Sequence, residues 1–290
     1  MFSGSLVAIV TPFKNGNVDE TAFADLIEFQ IASGTHGIVP CGTTGESATL
    51  STEEHERVVA LTVEIVNRRV TVIAGTGSNS TDEAITLTKH AKSAGADGAL
   101  LITPYYNKPM QAGLIQHYSS IAKASDIPLV LYNIPGRTGV NMTPDTVAQL
   151  SKIPSVVAIK EGSGSLQQVS AIIEQCRENI TVLAGDDPLT LPMMAIGAKG
   201  VITVTANVAP TDMAKMVNLA IQGNYEDART IHYKLVPLFS ALFYETNPIP
   251  VKAALASMGK IQNELRLPLT PISLENQDKL FHLLKACGLN

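Results

Sequence analysis

The sequence has 290 residues, of which 45% are hydrophobic and 16% charged, which is typical of a globular chain with a large apolar core. A net charge of −5, spread without long runs of like charge, argues against nucleic acid or an anionic membrane as a partner. Residues 1–5 lack a basic leader and the apolar run 6–10 is too short for a signal core or a membrane span, which predicts a cytoplasmic protein.

Short apolar runs recur about every thirty residues, and each ends in small or turn-forming residues. The runs are 6–10, 37–40, 70–74, 99–103, 129–132, 156–159, 180–184 and 201–204. Near-continuous apolar runs that alternate with helical patterns predict parallel strands covered by helices. Eight such units favour an α/β fold of the (β/α)8 TIM barrel type over an open doubly wound sheet, since no Gly-x-Gly-x-x-Gly turn follows Val10.

Helix-start signals lie between these runs. Ser51 with Glu54 three residues later is a capping-box pattern, and further signals lie at 80–83, 143–145 and 210–212. Beyond the eighth unit, three helical patterns exceed what a barrel needs: 225–243, 248–258 and 273–286. We therefore predict two domains, a barrel at 1–223 and a C-terminal helical domain at 224–290.

Lys160 closes the apolar run 156–159 and precedes a loose, glycine-containing stretch. A lysine at the end of a buried strand pairs with an acid, extends its amine to water, or loses its charge. An uncharged buried amine is a nucleophile, and its commonest reaction is Schiff-base formation with a carbonyl group. The alternative is a non-catalytic lysine whose apolar stem covers the strand end while its amine lies in water.

The active site of a barrel is built from loops at the carboxyl ends of the strands. The strand ends and their loops are predicted to present 42–46, 104–107, 132–139, Lys160, 185–187 and 202–207. The turn at 42–46 offers backbone N–H groups and two hydroxyls, which suit a carboxylate. Tyr132 ends the strand before that of Lys160, so its phenol can reach the amine. Arg137 is either a solvated charge or a bidentate carboxylate ligand.

Several chemistries are disfavoured by what these loops contain. The six histidines show neither an HExxH motif nor paired metal spacing, which argues against a metal-dependent aldolase. Asp186 and Asp187 follow the seventh run and would repel a sugar phosphate. The scattered cysteines form no CxxC pair, and we interpret Cys41, near the second strand end, as a small buried apolar residue.

Three motifs, GTTGES at 42–47, YNIP at 132–135 and IKE at 159–161, together resemble the pyruvate-dependent Schiff-base enzymes of the N-acetylneuraminate lyase superfamily. Within it, PYYNKP at 104–109, RTG at 137–139 and NPIPVK at 247–252 are similar to the dihydrodipicolinate synthase family. The resemblance implies a barrel with a C-terminal helical domain, a homotetramer built as a dimer of dimers, and no metal or organic cofactor. It also implies condensation of pyruvate with L-aspartate 4-semialdehyde, the first committed step of lysine and diaminopimelate biosynthesis.

The resemblance assigns catalytic roles to four residues. It implies that Lys160 forms an imine with pyruvate and that Tyr132 transfers protons as general acid and base. Thr43 would link Tyr132 to Tyr106, which in the family reaches across a subunit boundary into the partner's site. Neither a bound metal nor a coenzyme is then required, because the protonated imine nitrogen accepts the electrons of the carbanion.

Substrate contacts are also implied by the resemblance. Thr44, together with Thr43, would hold the pyruvate carboxylate. Arg137 would bind the carboxylate of L-aspartate 4-semialdehyde. Gly185 and Ile202 would contact the pyruvyl group through backbone atoms or packing.

The resemblance further implies feedback inhibition by L-lysine at a tight dimer interface. The matching positions are Ser47, Ala48, His55, Asn79, Glu83 and Tyr105. We expect Glu83 to accept the α-amino group of lysine. Thr52 differs from the histidine found in some lysine-sensitive enzymes, which lowers the expected affinity. The alternative is that these residues only begin helices and form an interface.

Two other functions remain compatible with parts of the sequence. A pyruvate Schiff-base aldolase that cleaves N-acetylneuraminate or a 2-keto-3-deoxy sugar acid would share Lys160, Tyr132 and the turn at 42–46. Arg137 and the loop at 105–107 favour the synthase, because a polyhydroxylated substrate would call for hydroxyl-binding groups where the arginine stands. A non-catalytic regulator that binds a keto acid is disfavoured, since such a protein would be expected to lose the lysine or the tyrosine.

Overall fold

The computed structural model describes residues 2–289 as a closed barrel of eight parallel strands, each paired with the next and the eighth with the first. Numbered in chain order, barrel strands 1–8 are Gly4–Ala8, Gly37–Val39, Thr71–Gly75, Gly98–Ile102, Leu129–Asn133, Val156–Glu161, Thr181–Ala184 and Gly200–Thr203. All eight overlap the apolar runs of the sequence, so the predicted (β/α)8 fold is confirmed.

Helices follow the barrel strands and cover the outside of the barrel. They are Glu20–Ala32, Thr52–Val66, Thr81–Ala94, Gln111–Ala124, Pro144–Leu150, Leu166–Cys176, Thr190–Ala195 and Pro210–Ile221, with a single turn at Pro135–Thr138. The capping box forms as predicted, because Ser51 Oγ accepts from Glu54 N at 3.2 Å while Glu54 Oε2 accepts from Ser51 N at 2.9 Å. Ser80 and Thr143 also cap their helices with side-chain oxygens.

Three C-terminal helices, Tyr225–Ala241, Ile249–Ser257 and Leu274–Ala286, match the three helical patterns predicted beyond the barrel. The first of them packs along Pro210–Ile221, the last helix of the barrel. The C-terminal helices therefore pack directly on the barrel helices. A domain boundary after residue 223 stays a prediction. No helix among residues 2–289 is long and apolar enough to cross a membrane.

The apolar core has two layers, one inside the barrel and one between the barrel and its helices. Side chains alternate between them along each strand. In strand 6, Ala158 belongs to the inner layer and Ile159 to the outer one. Lys160, two residues after Ala158, therefore points inward at the carboxyl end of the barrel, where it is only 6% exposed.

A small hairpin of Phe13–Lys14 and Asn17–Val18 follows strand 1. Its turn residues Asn15 and Gly16 have positive φ angles, and their N–H groups donate to the Glu264 carboxylate at 2.9 and 2.6 Å. Arg266 donates to Gly16 O at 2.8 Å and to both carboxylate oxygens of Glu54 at 2.6 Å. The segment after the helix Ile249–Ser257 therefore holds the hairpin against the start of Thr52–Val66.

Candidate active site

Lys160 and Tyr132 lie side by side at the carboxyl end of the barrel, in register on strands 6 and 5. The Lys160 amine is 4.2 Å from the centre of the Tyr132 ring. Burial lowers the pKa of Lys160 from its usual 10.5 to about 8, although the nearby Asp187 carboxylate opposes this shift. A substantial fraction of free amine is therefore present near neutral pH, as a nucleophilic lysine requires.

The Tyr132 phenol is held in its neutral form. Burial raises its pKa well above the usual value, while Arg137 and a side-chain hydrogen bond with Thr43 partly oppose the shift. A neutral phenol that touches a hydroxyl can donate a proton and be reprotonated along the same contact. The structure thus brings together Lys160, Tyr132 and Thr43, three of the four residues predicted to be catalytic.

The turn that carries Thr43 and Thr44 is closed by short local hydrogen bonds. Gly45 N donates to Gly42 O at 3.1 Å, and Thr11 Oγ1 donates to Gly45 O at 2.7 Å. The chain just before the turn passes so close to strand 3 that a Cβ at Gly75 would lie 2.2 Å from Cys41 O. Glycine at position 75 is therefore required for the turn to approach the barrel.

Arg137 lies on the single helical turn Pro135–Thr138, exposed at the rim of the same cavity as Thr43 and Tyr132. Its Nη2 donates to Asn247 O at 3.1 Å. Asn247 is buried, and its Nδ2 donates to Thr44 Oγ1 at 2.9 Å. Asn247 thus contacts two predicted substrate-binding residues, a position that sequence reasoning missed. The NPIPVK motif could have signalled it, but only as a resemblance.

Gly185 and Ile202 also lie at the carboxyl end of the barrel. Gly185 N donates to Glu161 O at 2.7 Å, and a Cβ at this position would lie 3.1 Å from the Glu161 backbone. Ile202 is 1% exposed and packs in the inner layer with Tyr132. Their contact with the pyruvyl group stays a prediction.

Asp187 is a second residue whose place sequence reasoning missed. It is buried, and its Oδ2 accepts from Val204 N at 3.1 Å and from Thr205 N and Oγ1 at 2.7 and 2.6 Å. This carboxylate therefore joins the loops after strands 7 and 8. Its negative charge also raises the pKa of Lys160 against the effect of burial. The sequence predicted only that Asp187 repels phosphate. It did not predict the contacts with the strand 8 loop or the effect on Lys160.

Tyr106 is the predicted catalytic residue that the structure does not bring to the others. It has a φ of 72° and is 90% exposed, and Met110 nearby is 80% exposed. A bulky residue with positive φ is strained, so the local backbone holds this side chain outward at some cost. The Tyr106 side chain therefore extends away from the rest of its own chain.

Five of the six predicted lysine-binding residues line the same cavity, of about 440 Å³, as Thr43, Tyr132 and Arg137. They are Ser47, Ala48, His55, Glu83 and Tyr105. The sixth, Asn79, does not line the cavity, but its Nδ2 donates to Tyr105 O at 3.2 Å. Burial lowers the pKa of His55, and its Nδ1 has no hydrogen-bond partner among residues 2–289.

Cys41 does not have the environment of a reactive thiol. It is buried in the outer core layer, and burial raises its pKa far above the usual value, so that the thiol stays protonated. Within residues 2–289, no group of three or more His, Cys, Asp or Glu side chains is arranged to hold a metal ion.

At the level of class, the fold and the residues at its carboxyl end are those of a (β/α)8 barrel lyase. Residues 1–287 match the model of the dihydrodipicolinate synthetase family. The chain is 64% identical over 290 residues to the 4-hydroxy-tetrahydrodipicolinate synthase of Syntrophobacter fumaroxidans, with all of both chains covered. It is 59% identical to the enzyme of that name from Thermodesulfovibrio yellowstonii, over 100% of this chain and 99% of the relative.

Solved structures agree with this assignment. The dihydrodipicolinate synthase of Aquifex aeolicus superposes with a TM-score of 0.98 at 51% identity, covering 99% of each chain. The chloride-inhibited dihydrodipicolinate synthase of Acinetobacter baumannii, complexed with pyruvate, gives a TM-score of 0.98 at 48% identity, covering all of both chains. The chain belongs to the dihydrodipicolinate synthetase family.

Proposed function

We propose that this chain condenses pyruvate with L-aspartate 4-semialdehyde to form 4-hydroxy-tetrahydrodipicolinate, the first committed step of lysine and diaminopimelate biosynthesis. The observation that carries the proposal is the buried, partly uncharged amine of Lys160 beside Tyr132, in a chain whose relatives bear the name of this synthase. Pyruvate in the complex from Acinetobacter baumannii supports the first substrate.

In the proposed reaction, the Lys160 amine attacks the ketone carbon of pyruvate, and water leaves as the imine forms. Tyr132 donates the proton that turns the hydroxyl of the first adduct into a leaving water, and so becomes a phenolate. The phenolate then takes a proton from the methyl group, directly or through the Thr43 hydroxyl, which restores the phenol and gives the enamine. The imine nitrogen accepts the electrons of the broken C–H bond. Thr43 and Thr44 hold the pyruvate carboxylate through hydroxyl and backbone groups.

The enamine carbon then attacks the aldehyde carbon of the semialdehyde, and Tyr132 protonates the resulting alkoxide. The substrate's own amine attacks the imine carbon and displaces Lys160, which closes the ring and restores the free enzyme. Arg137 binds the semialdehyde carboxylate through its planar guanidinium. Its backbone partner Asn247 O leaves other N–H groups available for that contact.

The test is an assay with purified protein, pyruvate and L-aspartate 4-semialdehyde, coupled to a reductase that consumes the product. We expect turnover with this pair and none when either substrate is omitted. N-acetylneuraminate and 2-keto-3-deoxy sugar acids serve as competing substrates. Cleavage of one of these at a higher kcat/KM would assign the chain to the aldolase alternative instead.

We further propose that the chain acts in the cytoplasm as a homotetramer, a dimer of dimers in which Tyr106 enters the partner's site. The exposed apolar side chains of Tyr105, Tyr106 and Met110 support an interface at this face, because a contiguous apolar surface tends to be covered by protein. Tyr106 would then complete the proton path from Tyr132 through Thr43.

Feedback inhibition by L-lysine is proposed at the Glu83 end of the shared cavity. Glu83 accepts a hydrogen bond from Ser78 Oγ, and its carboxylate would pair with the α-ammonium group of the ligand. The unpartnered Nδ1 of buried His55 supplies a further acceptor. Ligand there would lie against Tyr105, next to the proposed proton path, and would slow turnover without occupying the pyruvate site.

We expect millimolar L-lysine to inhibit partially in an initial-rate titration, and Glu83→Ala to abolish the inhibition while leaving the uninhibited rate within about twofold. Asp82→Ala is the matched control, because Asp82 is the adjacent exposed acid on the same helix and does not line the cavity. A flat response of the unmodified enzyme to lysine would contradict the proposed site.

A further inference from the structure

An ion pair is buried beneath the turn that carries Thr43 and Thr44. Lys252 Nζ lies 2.6 Å from Glu46 Oε1, and the two side chains are 0% and 1% exposed. Lys252 also donates to Thr11 O at 2.9 Å, and its amine lies 4.2 Å from the centre of the Phe13 ring. Neither residue belongs to the proposed reaction, so the pair calls for another explanation.

Glu46 is continuous with the substrate-binding turn. It has a φ of 52°, and its N–H donates to Thr43 O at 3.1 Å. Thr11, which accepts from Lys252, donates through its hydroxyl to Gly45 O at 2.7 Å. Two routes therefore connect Lys252 to the turn, one through the Glu46 backbone and one through Thr11. A displacement of Lys252 would be transmitted to Thr43 and Thr44.

The other end of this arrangement is the C-terminal helical region. Lys252 lies in the helix Ile249–Ser257, which begins two residues after Asn247, the residue that donates to Thr44 and accepts from Arg137. Arg266 N donates to the second Glu46 oxygen, Oε2, at 3.2 Å. The C-terminal region therefore contacts the turn at two points. Lys252 and Arg266 bind Glu46, and Asn247 binds Thr44.

A buried ion pair is poor evidence of stability, since the cost of removing both charges from water often exceeds their attraction. Apolar residues could fill this space at similar or greater stability. Apolar residues could not fix the orientation of the turn, because apolar contacts are not directional. The hydrogen bonds of the pair fix the positions of Glu46 and Thr11, and through them the turn.

We propose that Glu46 and Lys252 form a positioning pair that sets the affinity of the turn at 42–46 for the carboxylate of the keto acid. The inference rests on the proposed function, because it assumes that Thr43 and Thr44 hold that carboxylate. The pair acts on the binding of the keto acid and not on the chemistry of Lys160, which lies on a separate strand of the barrel.

The experiment compares Lys252→Met, Glu46→Gln and the double variant with the unmodified enzyme. Borohydride traps the imine over a range of pyruvate concentrations, and intact mass gives the fraction of chains modified. The pyruvate concentration at half-maximal trapping reports affinity, and the maximal fraction reports the chemistry of Lys160. Lys279→Met is the matched control, because Lys279 forms an exposed pair with Glu275 at 2.7 Å in the C-terminal helix Leu274–Ala286.

We expect Lys252→Met to raise the half-maximal concentration by roughly tenfold, because it leaves the Glu46 carboxylate buried without its partner. Glu46→Gln keeps a hydrogen-bond acceptor and should raise it roughly threefold. The double variant should lie below Lys252→Met, since neither charge is then left unpaired. The maximal trapped fraction and the half-maximal concentration of Lys279→Met should match the unmodified enzyme.

A purely structural pair would lower the thermal midpoint and leave the half-maximal pyruvate concentration unchanged, which would overturn the inference. If either single variant does not fold, the double variant still decides, because it leaves neither charge buried without its partner. Failure of the proposed function looks different: the unmodified enzyme itself would form no adduct at Lys160.

Discussion

Borohydride reduction in the presence of pyruvate is expected to attach a single adduct to this chain, at Lys160. The lysine is buried, its pKa is about 8, and Tyr132 lies close enough to assist loss of water. With that pKa, about one tenth of the amine is free at pH 7, which suffices for attack on a ketone. Peptide mass spectrometry after reduction identifies the modified residue.

Lys160→Met should remove both the adduct and the turnover measured in the coupled assay. Lys252 is an internal control, because it is also buried but its amine is occupied by hydrogen bonds to Glu46 and to Thr11. Burial lowers its pKa too, and the Glu46 carboxylate opposes that shift. An adduct on Lys252, or on any lysine other than Lys160, would show that the proposed nucleophile is wrong.

The pH dependence of trapping should follow the same pKa. Because burial lowers the pKa of Lys160 to about 8, half of the amine is free at that pH and the free fraction approaches its limit about one pH unit higher. The initial trapping rate at limiting pyruvate should therefore rise from pH 6 through about 8 and level off near pH ~9. A rate that continues to rise towards the usual lysine pKa, 10.5, would indicate an exposed amine.

Arg137→Lys is expected to lower kcat/KM for L-aspartate 4-semialdehyde by roughly a hundredfold while imine formation with pyruvate survives. Lysine keeps the positive charge but loses the planar pair of donors that fits a carboxylate. It also loses the geometry of the contact to Asn247 O. Steady-state kinetics with each substrate varied in turn, together with borohydride trapping, separate the two effects.

Arg57→Lys is the matched control for that measurement. Arg57 donates two hydrogen bonds to Glu20 on the surface, so the same substitution tests loss of the guanidinium away from the cavity. It should leave both kinetic parameters within about twofold. An equal loss of pyruvate and semialdehyde affinity in Arg137→Lys would mean that Arg137 supports the fold of the site and does not bind the second substrate.

The fold was predictable because strands buried on both faces are continuous apolar runs. Each predicted run starts and ends within two residues of the observed strand, for example 180–184 against Thr181–Ala184. The capping box at Ser51 was equally visible, because both of its partners lie within four residues. Local patterns of this kind predict individual strands and helices, and eight repeats of a strand followed by a helix predict the barrel.

Part of the candidate site was also predictable, because Lys160, Tyr132 and Thr43 all end or follow barrel strands. What the sequence could not reveal were contacts between distant segments. Asn247 and Thr44 are 203 residues apart, and Lys252 and Glu46 are 206 apart. No periodicity or spacing connects such pairs, and they arise only when the C-terminal helices pack on the barrel. The role proposed for Tyr106 requires a second chain, which the pattern of one sequence cannot show.

The lining of the shared cavity carries opposite charges. Arg137 at one wall presents a guanidinium and Glu83 at another presents a carboxylate, while both open into the same space of about 440 Å³. A molecule that bears a carboxylate at one end and an amine at the other, on a spacer that spans the two side chains, would pair with both charges. Under the roles proposed for Arg137 and Glu83, it would compete with the aldehyde substrate and occupy the lysine site together, and loss of one contact would leave the other.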